Sequence, residues 1–191
     1  MIGLLGGVFD PPHNGHVALA REALEHFGLE RLIVLVVAQP GHKEAELDAE
    51  ARLALARATF GELPRTEVRL DDHARTIDSV RAGDFGDAIF LVGADEFADF
   101  LGWKEPDELL DQVRLGVATR PGYPSAQLEE VLSRLRRPER VLFFELQPLE
   151  IASRDLRARA AAGERIDAYV PTSVANAVRE LGLYRRDAGL H

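Results

Sequence analysis

The stretch that decides the fold is Ile2-Gly3-Leu4-Leu5-Gly6-Gly7-Val8-Phe9-Asp10-Pro11-Pro12-His13-Asn14-Gly15-His16. Ile2 to Val8 reads as a strand, and the chain then passes through a turn stiffened by Pro11 and Pro12. Beyond it Val17, Ala20, Leu24 and Phe27 recur at helical spacing, from Asn14 as the candidate N-cap to Gly28 as the C′ glycine. A strand that turns directly into an amphipathic helix is the first half of a βαβ unit.

The same alternation continues outward. Leu32 to Val37, Ala88 to Val92 and Val113 to Ala118 are apolar almost throughout, as expected of strands covered by helices on both faces. Val141 to Phe144 is a further strand, and Glu67 to Leu70 a weaker one. Between them, Ala49 to Phe60 reads as an alanine-rich helix carrying Leu53, Leu55 and Ala56. Ser125 is a candidate cap for a helix with Leu128, Val131, Leu132 and Leu135. Val174, Val178 and Leu181 form a last stripe after Pro171-Thr172, closed by Gly182, and the tail after Tyr184 reads as disordered. The expected fold class is α/β, a doubly wound parallel sheet of Rossmann-like type, as one domain over residues 1–191. A small helical C-terminal part begins at about residue 146.

Composition narrows the function. The chain of 191 residues carries 23 Lys+Arg against 32 Asp+Glu, a net charge of -9, which argues against holding a nucleic acid polymer by its phosphates. The absence of cysteine excludes disulfides, thiolate nucleophiles and cysteine zinc sites. No apolar run reaches the roughly 18 residues of a membrane span. The N-terminus has no basic lead before its short apolar run, so the expected location is the cytoplasm. Oligomeric state is left open.

The chemistry concentrates in the first turn, at the carboxyl end of a strand, where open α/β sheets bind ligands. Gly6 and Gly7 permit close approach to the backbone, while His13 and His16 lie at i, i+3 and can face one object near a helix N-terminus. An anion, most simply phosphate, fits that convergence. No Gly-Lys-Ser/Thr follows and the G-x-G-x-x-G spacing is absent, so neither a Walker A loop nor a dinucleotide fingerprint is present. An isolated Gly-Gly usually only joins a strand to a helix; two histidines and Asp10 around one turn reverse that preference. A zinc site of His13, His16 and Asp10 lacks familiar spacing, and no metal ligand is assigned.

At these residues the chain resembles the nucleotidyltransferase superfamily marked by His-x-Gly-His. The longer match, Gly6-Gly7-x-Phe9-Asp10-Pro11-x-His13-x-Gly15-His16, is similar to bacterial nicotinate mononucleotide adenylyltransferases. Further matches follow in family order: Gln39 to Lys43, Arg75 to Val80, Val92-Gly93-Ala94-Asp95, Trp103-Lys104, Arg120-Pro121-Gly122, and Ile151 to Arg157 against I-S-S-T-x-I-R. They cover nearly the whole chain.

The resemblance implies transfer of AMP from ATP to nicotinic acid mononucleotide, with pyrophosphate released and Mg²⁺ accompanying the ATP. His13 and His16 would contact the phosphates and stabilise charge as the acceptor phosphate attacks, with no enzyme nucleophile. The ATP site would comprise Gly7, Val8, Phe9, Gly15, Gly93, Asp95, Ser153 and Arg157. The acceptor would meet Lys43 near its phosphate, Thr76 at its carboxylate and Trp103 stacked on its ring. Ordinary roles compete at several of these positions: a solvated surface lysine for Lys43, a helix N-cap for Asp95, and core packing for Trp103. Val8 stands where the family has Thr or Ser, Ala152 and Arg154 replace Ser and Thr of I-S-S-T, and Arg75 replaces a Tyr. A guanidinium at Arg75 would suit the acidic nicotinate over the neutral amide. Two other readings remain at this point: an adenylyltransferase for another phosphorylated acceptor such as phosphopantetheine, and a nucleotide-binding module without catalysis.

Overall fold

The structure, a computed structural model, describes residues 1–41, 45–147, 149 and 151–185. Its six strands are β1 (Ile2–Gly7), β2 (Arg31–Val37), β3 (Thr66–Asp71), β4 (Ala88–Gly93), β5 (Arg114–Thr119) and β6 (Val141–Glu145). They form one sheet in the order β3-β2-β1-β4-β5-β6, every neighbouring pair parallel. Connections run outward in both directions from β1 and β4, so the switch point lies between the carboxyl ends of those two strands.

Alternation along the strands sends side chains into two layers. Leu4, Ile33, Leu35, Phe90, Val92, Leu115 and Val117 face one side. There they meet residues of α3 (Thr76–Ala82), α4 (Ala94–Ala98), α5 (Pro106–Gln112) and α6 (Ser125–Ser133). Leu5, Val34, Val36, Ile89 and Leu91 face the other, under α1 (Asn14–His26) and α2 (Ala49–Phe60). Both faces are covered, which is why the strands read as unbroken apolar runs. The edge strand β3 is six residues long and paired along its whole length with β2, longer than the weak alternation of its sequence indicated.

Helix α1 ends as the sequence requires. Gly28 takes φ +57°, its N–H donates to Glu25 O, and the N–H of Leu29 reaches Leu24 O, a Schellman closure with both leucines buried. Its start differs from expectation, because His13 holds the cap position and Asn14 is the first helical residue. The Asn14 N–H donates to Tyr169 O, and its side chain to Ala168 O. Ser125 likewise is the first residue of α6, after Pro124, and Leu135 is buried beyond the helix end rather than on it.

The C-terminal part consists of α7 (Ser153–Ala161) and α8 (Thr172–Glu180). Leu156, Ala160, Val174, Val178 and Tyr184 pack with Leu55 of α2 in a third core. Leu181 does not continue the expected stripe and is 71% exposed. The chain reverses at Gly182, with φ +63°, and Tyr184 buries instead. The expected disordered tail falls mainly on residues 186–191, outside the described ones. None of the described helices is long and apolar enough to cross a membrane.

One buried charge ties these layers together. Arg52 of α2 is 1% exposed, and its guanidinium donates to Val8 O, Val37 O, Ala38 O and Leu47 O at 2.7–3.1 Å. It thereby joins the ends of β1 and β2 to the segment before α2. Arg52→Met strands those carbonyls away from water and is expected to lower the unfolding free energy by about 3 kcal/mol. A denaturant titration reads this as a lower midpoint at unchanged slope. A midpoint equal to that of the native chain would contradict the role given to Arg52.

Candidate active site

The first turn is built inward from Asp10, which is 1% exposed. Its Oδ1 accepts from the Tyr184 hydroxyl at 2.7 Å, and its Oδ2 accepts from the N–H groups of Glu46 at 2.6 Å and Leu47 at 3.5 Å. Burial, and then the bond to Asp10, push the Tyr184 phenol well above the ordinary tyrosine range, so it stays protonated and donates. The carbonyl of Asp10 accepts from Arg157 Nη1 at 2.8 Å, and that of Pro11 from Ser153 Oγ at 2.8 Å. The turn is therefore fixed by three segments distant in sequence.

This arrangement corrects several expectations. Asp10 does not face the histidines' ligand, because both its oxygens are used inside the fold. Ser153 and Arg157 come to the turn as expected, yet they bond its carbonyls and, for Arg157 Nε, Glu46 at 3.0 Å. Phe9 is 2% exposed with φ +53°, and its ring lies against Phe60 in the core, so it offers a ligand only its backbone. The α1 N-terminus is also partly used: the Asn14 N–H goes to Tyr169 O, and the His13 N–H to His16 Nδ1 at 3.2 Å.

What remains at the turn is the pair of imidazoles. The rings of His13 and His16 stack with centroids 3.7 Å apart, and the Phe9 ring meets His16 edge-on at 5.1 Å. Because His16 Nδ1 accepts the His13 N–H, the proton of a neutral His16 ring sits on Nε2. His13 is 7% exposed, and burial lowers its pKa from 6.5 to about 4, so it is uncharged at neutral pH. Its Nδ1 is buried without a hydrogen-bond partner. Gly15 makes room for the ring, since a Cβ there would stand 3.0 Å from that same nitrogen.

Next to the turn lies a cleft of about 510 Å³ that runs from Gly6, Gly7 and Val8 to Thr76 and Trp103. Trp103 packs one side into the core against Phe100 and Phe90, with centroids 5.3 and 6.2 Å away, and lines the cleft with the rest of its surface. Core packing and ligand contact are thus compatible for this residue. Gly93 ends β4, and a Cβ there would meet nothing within 4 Å. Asp95 is exposed within α4, whose cap is Gly93, and it accepts from Tyr123 Oη at 3.1 Å, so it is not the helix cap. Lys43 lies outside the described residues.

Arg52, Tyr184 and the Asp71-His73-Ser79 group that lines the cleft escaped the sequence reading. The signal for Arg52 was a charge inside an alanine-rich helix face; for Tyr184 there was none, since its partner is 174 residues away. Among the described residues no cluster of three or more His, Cys, Asp or Glu side chains is arranged to hold a metal.

Comparison with known proteins agrees with this architecture. The cytidylyltransferase-like family model matches residues 4–159. A protein of Rubrobacter xylanophilus named "Probable nicotinate-nucleotide adenylyltransferase" is 32% identical, over 98% of this chain and 93% of its own length. A Symbiobacterium thermophilum protein of the same name is 36% identical, over 97% and 95%. The solved nicotinic acid mononucleotide adenylyltransferase of Plasmodium falciparum complexed with NaAD superposes with a TM-score of 0.75 over 96% of both chains. At 16% identity that likeness speaks for the fold. With a family model over most of its length and relatives above 30% identity from end to end, the chain belongs to the cytidylyltransferase-like family, among the nicotinate-nucleotide adenylyltransferases.

Proposed function

We propose that this protein transfers AMP from ATP to nicotinic acid mononucleotide, forming nicotinic acid adenine dinucleotide and pyrophosphate in NAD biosynthesis. The observation that carries the reading is the stacked His13–His16 pair after β1, beside a cleft lined from Gly6, Gly7 and Val8 to Thr76 and Trp103. A phosphate oxygen of the acceptor attacks the α-phosphorus of ATP, the bond from that phosphorus to the bridging oxygen breaks, and pyrophosphate leaves. The enzyme supplies position and charge stabilisation rather than a nucleophile.

Each half of the site has its part in this reading. His16, with its proton on Nε2, donates to phosphate oxygens as charge moves toward the leaving group. His13, neutral because buried, contributes a hydrogen bond instead of a full charge. The backbone of Gly7, Val8, Phe9 and Gly15 and the open space beside Gly93 accept the triphosphate and ribose, with Asp95 near the ribose hydroxyls. Ser153 and Arg157 hold the turn in shape and set the edge of the phosphate site. Thr76 and Trp103 receive the pyridine ring, and Lys43 meets the acceptor phosphate. Mg²⁺ would arrive on the triphosphate and supply charge neutralisation there, since the described side chains form no cage for it. We read residues 1–191 as one catalytic domain, in which the helical part from about residue 146 completes the phosphate turn.

Steady-state pyrophosphate release with ATP and Mg²⁺ tests the reading against nicotinic acid mononucleotide, nicotinamide mononucleotide and phosphopantetheine. Turnover is expected on the first. His16→Ala is expected to lower kcat by about 10²–10³ while ATP affinity changes far less, as for the loss of one donor aimed at developing charge. Equal losses in kcat and ATP affinity would contradict the assignment, and turnover on phosphopantetheine alone would replace the acceptor.

A second expectation concerns pH. In the unfolded chain His13 binds a proton as pH falls through 6.5, whereas in the folded chain it does so only near 4. Between those values the unfolded state holds more protons, so stability is full above pH 6.5 and declines toward pH 4. His13→Asn removes this component. The stability of the native chain relative to the variant should therefore fall by about 3 kcal/mol between pH 7 and pH 4. Parallel curves for the two proteins would show that His13 is not buried neutral.

A further inference from the structure

The far end of the cleft contains a group that the reaction described so far does not use. Asp71, the last residue of β3, is 8% exposed and accepts from three donors. Ser79 Oγ donates to Oδ2 at 2.5 Å, while the His73 N–H at 3.1 Å and the His73 ring Nδ1 at 2.9 Å both meet Oδ1. A carboxylate opposite Nδ1 makes that nitrogen the donor, so Nε2 is the nitrogen left for a ligand. The His73 side chain is 40% exposed and lines the same cleft as Thr76 and Trp103.

Position along the sheet indicates which part of an acceptor would meet this ring. His13 and His16 follow β1, while His73 follows β3, two strands away, a separation of about 10 Å. A mononucleotide whose phosphate lies beside the histidine pair therefore directs its base toward β3 and α3. The aromatic wall of Trp103 and Phe90 lines the same cleft, and Lys104, next to Trp103, bonds Asp78 of α3.

We propose that His73, oriented by Asp71 and Ser79, is a specificity-determining residue that binds the carboxylate on the acceptor's pyridine ring; this rests on the adenylyltransferase reading above. Nδ1–H is already given to Asp71, so a neutral ring presents Nε2 as an acceptor, and only the protonated ring donates there. A carboxylate arriving at Nε2 favours the protonated ring, which is then held between two negative groups. The other charged groups facing this corner are Arg75 at the start of α3, Asp78 on α3 with Lys104 bound to it, and Glu96 and Asp99 across the cleft. Arg75 and Lys104 add positive charge, and the carboxylates oppose it. Asp71 and Ser79 are positioning residues, acting through His73.

Trp103 is the single tryptophan of the chain and lines this cleft, so its fluorescence reads acceptor binding without ATP. The test titrates nicotinic acid mononucleotide and nicotinamide mononucleotide into the native chain, His73→Ala and His73→Gln, with pyrophosphate release measured alongside. His73→Ala should weaken the nicotinate ligand about 10- to 100-fold, the scale of a lost charge-assisted hydrogen bond, and the nicotinamide ligand much less. His73→Gln, which can donate but carries no charge, should recover part of the loss. Equal losses on both ligands would overturn the proposal and place His73 at the shared phosphate or ribose; unchanged binding would overturn it outright. If the native chain turns over another acceptor but not nicotinic acid mononucleotide, the adenylyltransferase reading falls and this inference falls with it.

Discussion

Carbonyl groups at the ends of β1 and β2 point into a region closed to water, and the Arg52 guanidinium satisfies them. A parallel sheet has to release its chain at the carboxyl ends of its strands, where the ladder no longer pairs the backbone and where ligands also bind. Filling that region with apolar side chains would leave the carbonyls unsatisfied; filling it with water would open the floor of the site. A fixed cation with several donors does neither. It also leaves positive charge beneath the turn that carries His13 and His16.

Asp10 plays the complementary part from the other side of the turn. Its oxygens gather the segment before α2 and the C-terminal Tyr184, while its carbonyl takes Arg157. The C-terminal helices therefore do more than cover α2, because they set the position of the loop that carries His13 and His16. The imidazoles can stack at 3.7 Å and keep a defined protonation pattern only if that loop does not move. Preorganisation of this kind matters when the enzyme works by placing donors where charge develops.

How far the sequence reveals this depends on the range of the interactions. The strands and helices follow from local periodicity, and α2 runs from Ala49 to Phe60 as its alanine-rich pattern indicates. The Gly28 closure is also local and was legible. The starts of α1 and α6 were each displaced by one residue, because Asn14 is drawn to Tyr169 and Ala168, and Ser125 follows Pro124 rather than capping. Leu181 was misplaced because a left-handed Gly182 turns Tyr184 toward the core. In the site, the residue types of the turn announced phosphate chemistry. Their division of labour did not show, since the partners of Asp10, Ser153 and Arg157 lie more than a hundred residues away, at Tyr184, Pro11 and Asp10. Resemblance supplied the candidate ligands, and the structure separated the side chains that line the cleft from those that shape it.

In the proposed transfer at this preorganised turn, the acceptor oxygen is the only nucleophile. The measurement that tests it most directly follows the α-phosphorus of an ATP analogue made chiral there by sulfur substitution, into the dinucleotide formed with nicotinic acid mononucleotide. A single in-line displacement predicts inversion of configuration at that phosphorus. Retention would reveal two successive displacements through an enzyme-bound intermediate, and would contradict the account.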